Sequence, residues 1–267
     1  MESRPGALTP PDLLSRLVAE ARLDLERRRA LTTEDELERA IHDYTPRDFM
    51  GALKKPGLAL VAEMKQRTPS MGVLAESYRP ADLARAYTVG GAAAISVLTH
   101  TAGFGGRVEH VEAARLATDL PILRKDFITD PYEVGEARAA GADAVLLIVA
   151  ALGKADLRRL LAVVRSRGLT ALVEVHTLGE AEAAVEGGAP AVGVNHRDLR
   201  TFEVDLGLTE RLRNLVPERI PLVAESGIHS IADARRMREA GADAILVGEL
   251  LMRASDPAAC IRELASA

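Results

Sequence analysis

Four times along this chain a glycine–alanine pair leads into an apolar run. Gly91-Ala92-Ala93-Ala94, Gly141-Ala142-Asp143-Ala144, Gly188-Ala189-Pro190-Ala191 and Gly241-Ala242-Asp243-Ala244 stand 50, 47 and 53 residues apart. A repeat of that length marks stacked supersecondary units. The glycine suits a helix C-cap, where the chain turns left-handed before a tight entry into the next strand. From residue 58 onward there are eight short apolar runs: Leu58–Met64, Ala93–Leu98, Pro121–Leu123, Ala144–Val149, Ala171–Val175, Ala191–Val194, Leu222–Ala224 and Ala244–Val247. The repeat precedes every second run, so its period is two strand–helix units.

The runs are continuous rather than alternating, as strands covered on both faces are. Each intervening segment is long enough for a helix, as Pro80–Val89 and Asp156–Arg167 illustrate. Strands alternating with helices imply parallel pairing. A repeat that picks out alternate strands suits a closed barrel, whose interior layers are filled from alternate strands. No Gly-x-Gly-x-x-Gly follows the first run, which weakens an open doubly wound sheet. The predicted fold class is α/β, a single (β/α)8 TIM barrel domain over residues 1–267. Its strands and helices occupy 58–252, with an extra N-terminal helical segment at 1–46 packing on the barrel and a C-terminal helix at 253–267.

The N-terminal segment carries its own signals. Thr9-Pro10-Pro11-Asp12 supplies a cap, first-turn prolines and an acid at the positive pole of a helix. Leu14, Leu17, Val18, Ala21 and Leu25 then follow helical spacing. Arg27-Arg28-Arg29 fits a solvated helix end suited to the negative pole. Thr33 before Glu34-Asp35-Glu36 opens a second short helix.

With 34 Lys+Arg against 39 Asp+Glu, the net charge of -5 argues against a non-specific nucleic-acid binder. Cys260 is the only cysteine, which excludes a disulfide framework and a cysteine zinc cage. The histidines His42, His100, His110, His176, His196 and His229 form no His-x-His or His-Glu-x-x-His pair, so a metal site has little support. The longest purely apolar stretch, Ala144 to Leu152, is far short of the ~20 residues of a membrane span. An N-terminus with Glu2, Asp12, Glu20 and Asp24 fits neither a signal nor a transit peptide, and the predicted location is cytoplasmic.

Active sites of such barrels sit at the C-terminal ends of the strands. Charge collects there. The first strand ends Glu63-Met64-Lys65, with both charges on one face. The third runs into Arg124-Lys125-Asp126-Phe127, and the fifth holds Glu174 between two valines. The sixth ends Asn195-His196-Arg197, and the seventh ends Glu225-Ser226-Gly227. A ring of mutual salt bridges plugging the barrel mouth is the structural alternative. Buried pairs seldom repay their desolvation, so the repetition on five strands favours catalysis. Glu225-Ser226-Gly227-Ile228 and Gly248-Glu249 follow strands seven and eight, where backbone N–H groups commonly bind phosphate. His176 and His196 lie beside the mouth in supporting or solvent-facing roles. The loops Gln66–Arg79 and Thr99–His110 have the composition of mobile covers.

These residues resemble the indole-3-glycerol-phosphate synthase family of tryptophan biosynthesis. The resemblance runs from the N-terminal helices to Met252. It rests on Ala62-Glu63-Met64-Lys65 with Thr68-Pro69-Ser70-Met71-Gly72, Ser96-Val97-Leu98-Thr99 with Phe104-Gly105-Gly106, and Leu123-Arg124-Lys125-Asp126-Phe127. It continues through Val173-Glu174-Val175-His176, Asn195-His196-Arg197-Asp198-Leu199, Ala224-Glu225-Ser226-Gly227-Ile228 and Val247-Gly248. Thr68, His196 and Glu249 depart from the family's usual residues, and at Glu249 only the backbone is expected to hold phosphate.

The resemblance implies conversion of 1-(2-carboxyphenylamino)-1-deoxyribulose 5-phosphate into indole-3-glycerol phosphate, CO2 and water, with no metal or organic cofactor. It implies Lys125 as general acid in ring closure, Glu174 at the anilino nitrogen, and Glu63 with Lys65 in the dehydration. Asn195 and Arg197 would hold the substrate and orient the glutamates. Glu225, Ser226, Ser70, Phe104 and Phe127 would bind substrate, and Lys65, Gly227, Gly248 and Glu249 its phosphate. The implied partner is a small phosphorylated molecule, with no nucleic acid, membrane or obligatory protein partner. A phosphoribosylanthranilate-isomerase-like barrel would need a Cys/Asp pair, and Cys260 falls in the C-terminal helix. A catalytically silent scaffold would have no use for three buried glutamates. For Lys125, desolvation beside Phe127 and the nearness of Lys65 oppose the glutamates, with a protonated ammonium as the expected balance.

Overall fold

The computed structural model describes residues 13–41, 45–69, 71–198 and 203–267. All eight runs are strands: β1 Ala59–Met64, β2 Ala94–Leu98, β3 Ile122–Lys125, β4 Ala144–Ile148, β5 Thr170–Val175, β6 Ala191–Asn195, β7 Leu222–Glu225 and β8 Ala244–Val247. Each pairs in parallel with its sequence neighbours, and β1 closes the barrel on β8.

Alternation along each strand separates two apolar layers. Leu60, Ala62, Met64, Val145, Leu147, Val173 and Val175 face the surrounding helices. Ala59, Val61, Leu146, Leu172, Val223 and Leu246 fill the barrel interior. Burial on both faces is why the runs are continuous. Strands β3, β6 and β7 reach beyond their apolar runs to include Arg124, Lys125, Asn195 and Glu225. The backbone ladder takes no account of side-chain polarity, so it continues where hydrophobicity stops.

The repeated glycines Gly91, Gly141, Gly188 and Gly241 have φ of 86°, 92°, 82° and 86°, the left-handed turn the repeat implies. Two repeats add an aspartate strap at the opposite end of the barrel from the charged strand ends. Asp143 accepts from the Ile122 N–H at the start of β3, from the Arg47 N–H and from Arg115 Nη1, each at 2.7 Å. Asp243 accepts from the Leu222 N–H at the start of β7 at 2.8 Å.

The N-terminal segment forms α1 Leu13–Leu31, α2 Glu34–Ala40 and α3 Phe49–Leu53. The cap at Thr9–Asp12 lies outside the described residues, as does His42. The stripe Leu17, Val18, Ala21 and Leu25 is buried, and Thr33 with Glu36 makes a reciprocal capping box at α2. The arginine run departs from the solvated end expected of it. Arg28 reaches Glu136 at 2.7 Å, Asp24 at 2.5 Å and Glu133 at 3.4 Å. Arg29 bonds Asp130 at 2.7 Å and lies over the Tyr132 ring. Both grip the helix Pro131–Ala139, whose acids are too distant in sequence to be seen as partners; Arg27 alone stays exposed. Among the described residues no helix is long and apolar enough to cross a membrane.

Candidate active site

The charged strand ends converge on one cavity at the C-terminal mouth of the barrel. Parity explains which residues point in. Glu63, Lys125, Glu174, Asn195 and Glu225 each lie an even number of positions from an interior apolar residue of the same strand. The three glutamates are 3%, 2% and 1% exposed for Glu63, Glu174 and Glu225. Lys65 Nζ donates to Glu63 Oε1 at 2.5 Å. Lys125 Nζ donates to Glu225 Oε2 at 2.5 Å and to Glu174 Oε2 at 3.1 Å. Asn195 Nδ2 donates to Glu174 Oε1 at 3.2 Å, and the Arg197 N–H donates to Asn195 Oδ1 at 3.1 Å.

This arrangement separates the acids. Burial opposes ionisation of Glu174, but Lys125, His176 and Asn195 outweigh it and hold its carboxyl below the usual range. Glu225 is pushed up to about 7 by burial, with Glu174 and Glu63 adding to the effect and Lys125 opposing it. Burial also works against the Lys125 ammonium, yet Glu225, Glu174 and Glu63 together keep it above its ordinary range. The protonated balance expected from the sequence therefore holds. Two neighbouring carboxyls pushed apart in this way are suited to different proton-handling roles.

The surrounding wall is mixed. Phe104, Phe127, Leu98, Pro69 and the α1 residues Leu13 and Leu17 supply its apolar part. Ser226 and Gly227, which follow β7, and Gly248 and Glu249, which follow the neighbouring β8, border the cavity. Ser226 has φ of 67°, the one positive value among described non-glycine residues. Its carbonyl accepts from His196 Nδ1 at 2.9 Å, while His196 Nε2 accepts from Thr209 Oγ1 at 2.7 Å. Burial lowers the His196 pKa, in keeping with a neutral ring locked behind the loop rather than one facing solvent. His176 Nε2 stands 3.4 Å from Glu174. Burial disfavours its charged form, but Glu180 and Glu174 raise its pKa overall. The Gln66–Arg79 loop contains a small hairpin, Arg67–Thr68 with Gly72–Val73, and Thr99–His110 contains the helix Thr101–Phe104. Ser70 and Leu199 lie outside the described residues. Cys260, in the helix Pro257–Ala265, does not border the cavity.

Sequence reasoning missed a second charged cluster behind β3. Arg124 is fully buried on the face opposite Lys125. It donates to Asp126 at 3.2 Å, to Thr99 Oγ1 at 3.2 Å and to the Glu133 carbonyl at 2.9 Å, and pairs with Glu136 at 2.9 Å. Asp126 accepts from the Phe127 N–H at 2.9 Å. His100 packs edge-on against Phe127 and Phe104, with ring centroids 5.1 and 6.0 Å apart. The cluster fixes the turn that carries Lys125 and Phe127. Its one sequence signal was parity, since Arg124 and Lys125 must face opposite ways.

A family model described as indole-3-glycerol phosphate synthase matches residues 14–264. The chain belongs to the indole-3-glycerol phosphate synthase family. It is 56% identical over 253 residues to indole-3-glycerol phosphate synthase 2 of Streptomyces coelicolor, covering 94% of this chain and 98% of that protein. It is 47% identical to the indole-3-glycerol phosphate synthase of Kineococcus radiotolerans, covering 96% and 95%. Among solved structures, a thiamine phosphate pyrophosphorylase from Pyrococcus furiosus superposes with a TM-score of 0.61 at 24% identity, covering 78% of this chain and 94% of that one. An N-acetylmannosamine-6-phosphate 2-epimerase from Clostridium perfringens gives 0.61 at 20%, covering 78% and 93%. These two likenesses concern the barrel alone. The family's activity is that of a carboxy-lyase of tryptophan biosynthesis.

Proposed function

We propose that this cavity closes the indole ring of 1-(2-carboxyphenylamino)-1-deoxyribulose 5-phosphate, with Lys125 as the proton donor. The observation that carries the reading is the Lys125 ammonium held between Glu174 and Glu225 inside the cavity. Attack by an aromatic carbon on the ketone builds negative charge on oxygen, and an adjacent ammonium neutralises it by giving up a proton. A developing alkoxide is more basic than any amine, so even a strongly paired ammonium can donate late in bond formation. Glu225, pushed up to about 7, is a proton store one hydrogen bond away that can recharge Lys125.

Decarboxylation then restores aromaticity, so no electron sink is required, and the reaction runs without metal or organic cofactor. Glu174, kept ionised and oriented by Asn195, faces the anilino nitrogen and assists proton transfer there, taking its proton as the ring closes and returning it when loss of CO2 gives the electron pair back to nitrogen. Glu63 and Lys65, 2.5 Å apart, supply the base and acid for loss of water. Arg197 holds the carboxylate. Lys65 and the backbone at Gly227, Gly248 and Glu249 hold the phosphate, and Ser226 adds to the polar lining. Phe104 and Phe127 flank the benzene ring. The partner is this phosphorylated small molecule, with no nucleic acid, membrane or obligatory protein partner, and the working compartment is the cytoplasm.

Purified protein given this substrate should form an indole chromophore and release CO2 at equal rates with and without EDTA, and inorganic phosphate should compete. No turnover would defeat the reading. Loss of turnover under chelation would defeat its cofactor-free part.

A further inference from the structure

Gly193 lies in the middle of β6, in register with Glu174 on β5 and Val223 on β7. It shares the inward parity of Ala191 and Asn195. Its backbone does not ask for glycine, because its φ is not in the left-handed region. Glycine inside a strand also weakens it relative to alanine. Space supplies the reason. A Cβ at Gly193 would fall 2.1 Å from Glu225 Oε1, whereas the nearest atom of any other residue, Leu172 Cγ, is 3.5 Å away.

The notch left by Gly193 is thus occupied by one carboxylate oxygen and would otherwise accept a methyl group. That oxygen is buried and has no hydrogen-bond partner among the described residues. The other oxygen of the same carboxylate holds Lys125 at 2.5 Å. We infer that Gly193 is a positioning residue for the reaction, whose missing side chain seats the Glu225 carboxylate and so sets where the Lys125 ammonium stands in the cavity. Filling the seat moves a flexible side-chain end rather than backbone, so the barrel survives while the carboxylate is lifted toward the substrate. Glu225 then either drags Lys125 with it or breaks the 2.5 Å bond, and the Glu174 contact at 3.1 Å on the same ammonium shifts too.

The inference rests on Lys125 being the proton donor, and the experiment separates the two. Gly193→Ala is measured in the wild-type and Glu225→Ala backgrounds, with Lys125→Met alongside. Gly193→Ala alone should lower kcat on the order of 10²-fold, the worth of a displacement of about 1 Å in a catalytic group. KM should change by no more than about threefold, because the phosphate and carboxylate anchors are untouched. In the Glu225→Ala background, where no carboxylate remains to displace, adding Gly193→Ala should change kcat by less than about twofold. Wild-type kcat in Gly193→Ala, or the same loss in both backgrounds, overturns the inference. If Gly193→Ala fails to fold, recovery of folding in the double variant supports the seat, and a double variant that also fails to fold overturns it. Near wild-type activity in Lys125→Met defeats the proton-donor reading instead, and leaves the coupling of Gly193 to Glu225 to be judged from the paired backgrounds.

Discussion

The Cβ that Gly248 lacks would fall 2.3 Å from Glu63 Oε1 and 3.0 Å from its Cδ. From sequence, this glycine was needed so that phosphate could approach the backbone. The structure adds that it makes room for the carboxylate paired with Lys65. Gly248→Ala should therefore lower kcat about 10–10²-fold as well as raise KM, since Glu63 is displaced along with the anion. Steady-state kinetics check this, and an effect on KM alone would count against the seat for Glu63.

Glu225 makes stability depend on pH in a definite direction. Its pKa rises from the ordinary 4.5 to about 7 in the folded protein, so folding tightens proton binding there. The contribution is complete below about pH 4.5 and is lost as pH rises through about 7. Glu225→Gln mimics the neutral form. Its Tm should match wild type at about pH 4 and exceed it at about pH 8, by an amount corresponding to no more than about 3 kcal/mol. Thermal melts across that range test this, and a difference that does not vary with pH would contradict it.

The two aspartate straps should differ in worth. The Asp143 side chain is fully buried and takes three donors, while that of Asp243 is 37% exposed. Asp143→Ala should cost about 3–5 kcal/mol, the usual loss when one member of a buried charged group is removed. Asp243→Ala should cost about 1 kcal/mol, near the worth of one hydrogen bond. Both lie at the end of the barrel away from the cavity, so kcat of the folded fraction should stay unchanged. Denaturant titration with kinetics at low denaturant measures both effects.

Arg28 should prove a docking residue. Arg28→Ala removes its bonds to Glu133 and Glu136 and should destabilise the protein by about 1–3 kcal/mol, discounted because the arginine is partly exposed. Because α1 supplies Leu13 and Leu17 to the cavity wall, KM should rise and proteolysis between α1 and α3 should accelerate. Unchanged protease resistance would argue against the clamp.

The barrel was legible in the sequence because burial on two faces leaves continuous apolar runs, and because a left-handed glycine recurs before alternate strands. The inward charges were legible through parity with those runs, as for Glu63 and Glu174. Strand ends were less so, since Lys125, Asn195 and Glu225 extend backbone ladders past the hydrophobic segment. Parity turns Arg124 away from Lys125, but the partners of Arg28 and Arg124 could not be assigned. Arg28 pairs with acids 105 and 108 positions away, and an arginine looks the same whether it meets solvent or a buried carboxylate. Gly193 was hidden for a related reason: a space shared with a side chain from another strand leaves no local pattern.

The most direct measurement is kcat for Lys125→Met, with folding checked by circular dichroism. A proton donor placed between Glu174 and Glu225 should be worth about 10²–10⁴ in rate, the usual contribution of one general acid, with far less change in KM. Lys125→Arg should rescue poorly, because guanidinium keeps its proton at any working pH. Near wild-type kcat in a folded Lys125→Met protein, or full activity in Lys125→Arg, would contradict the role given to Lys125.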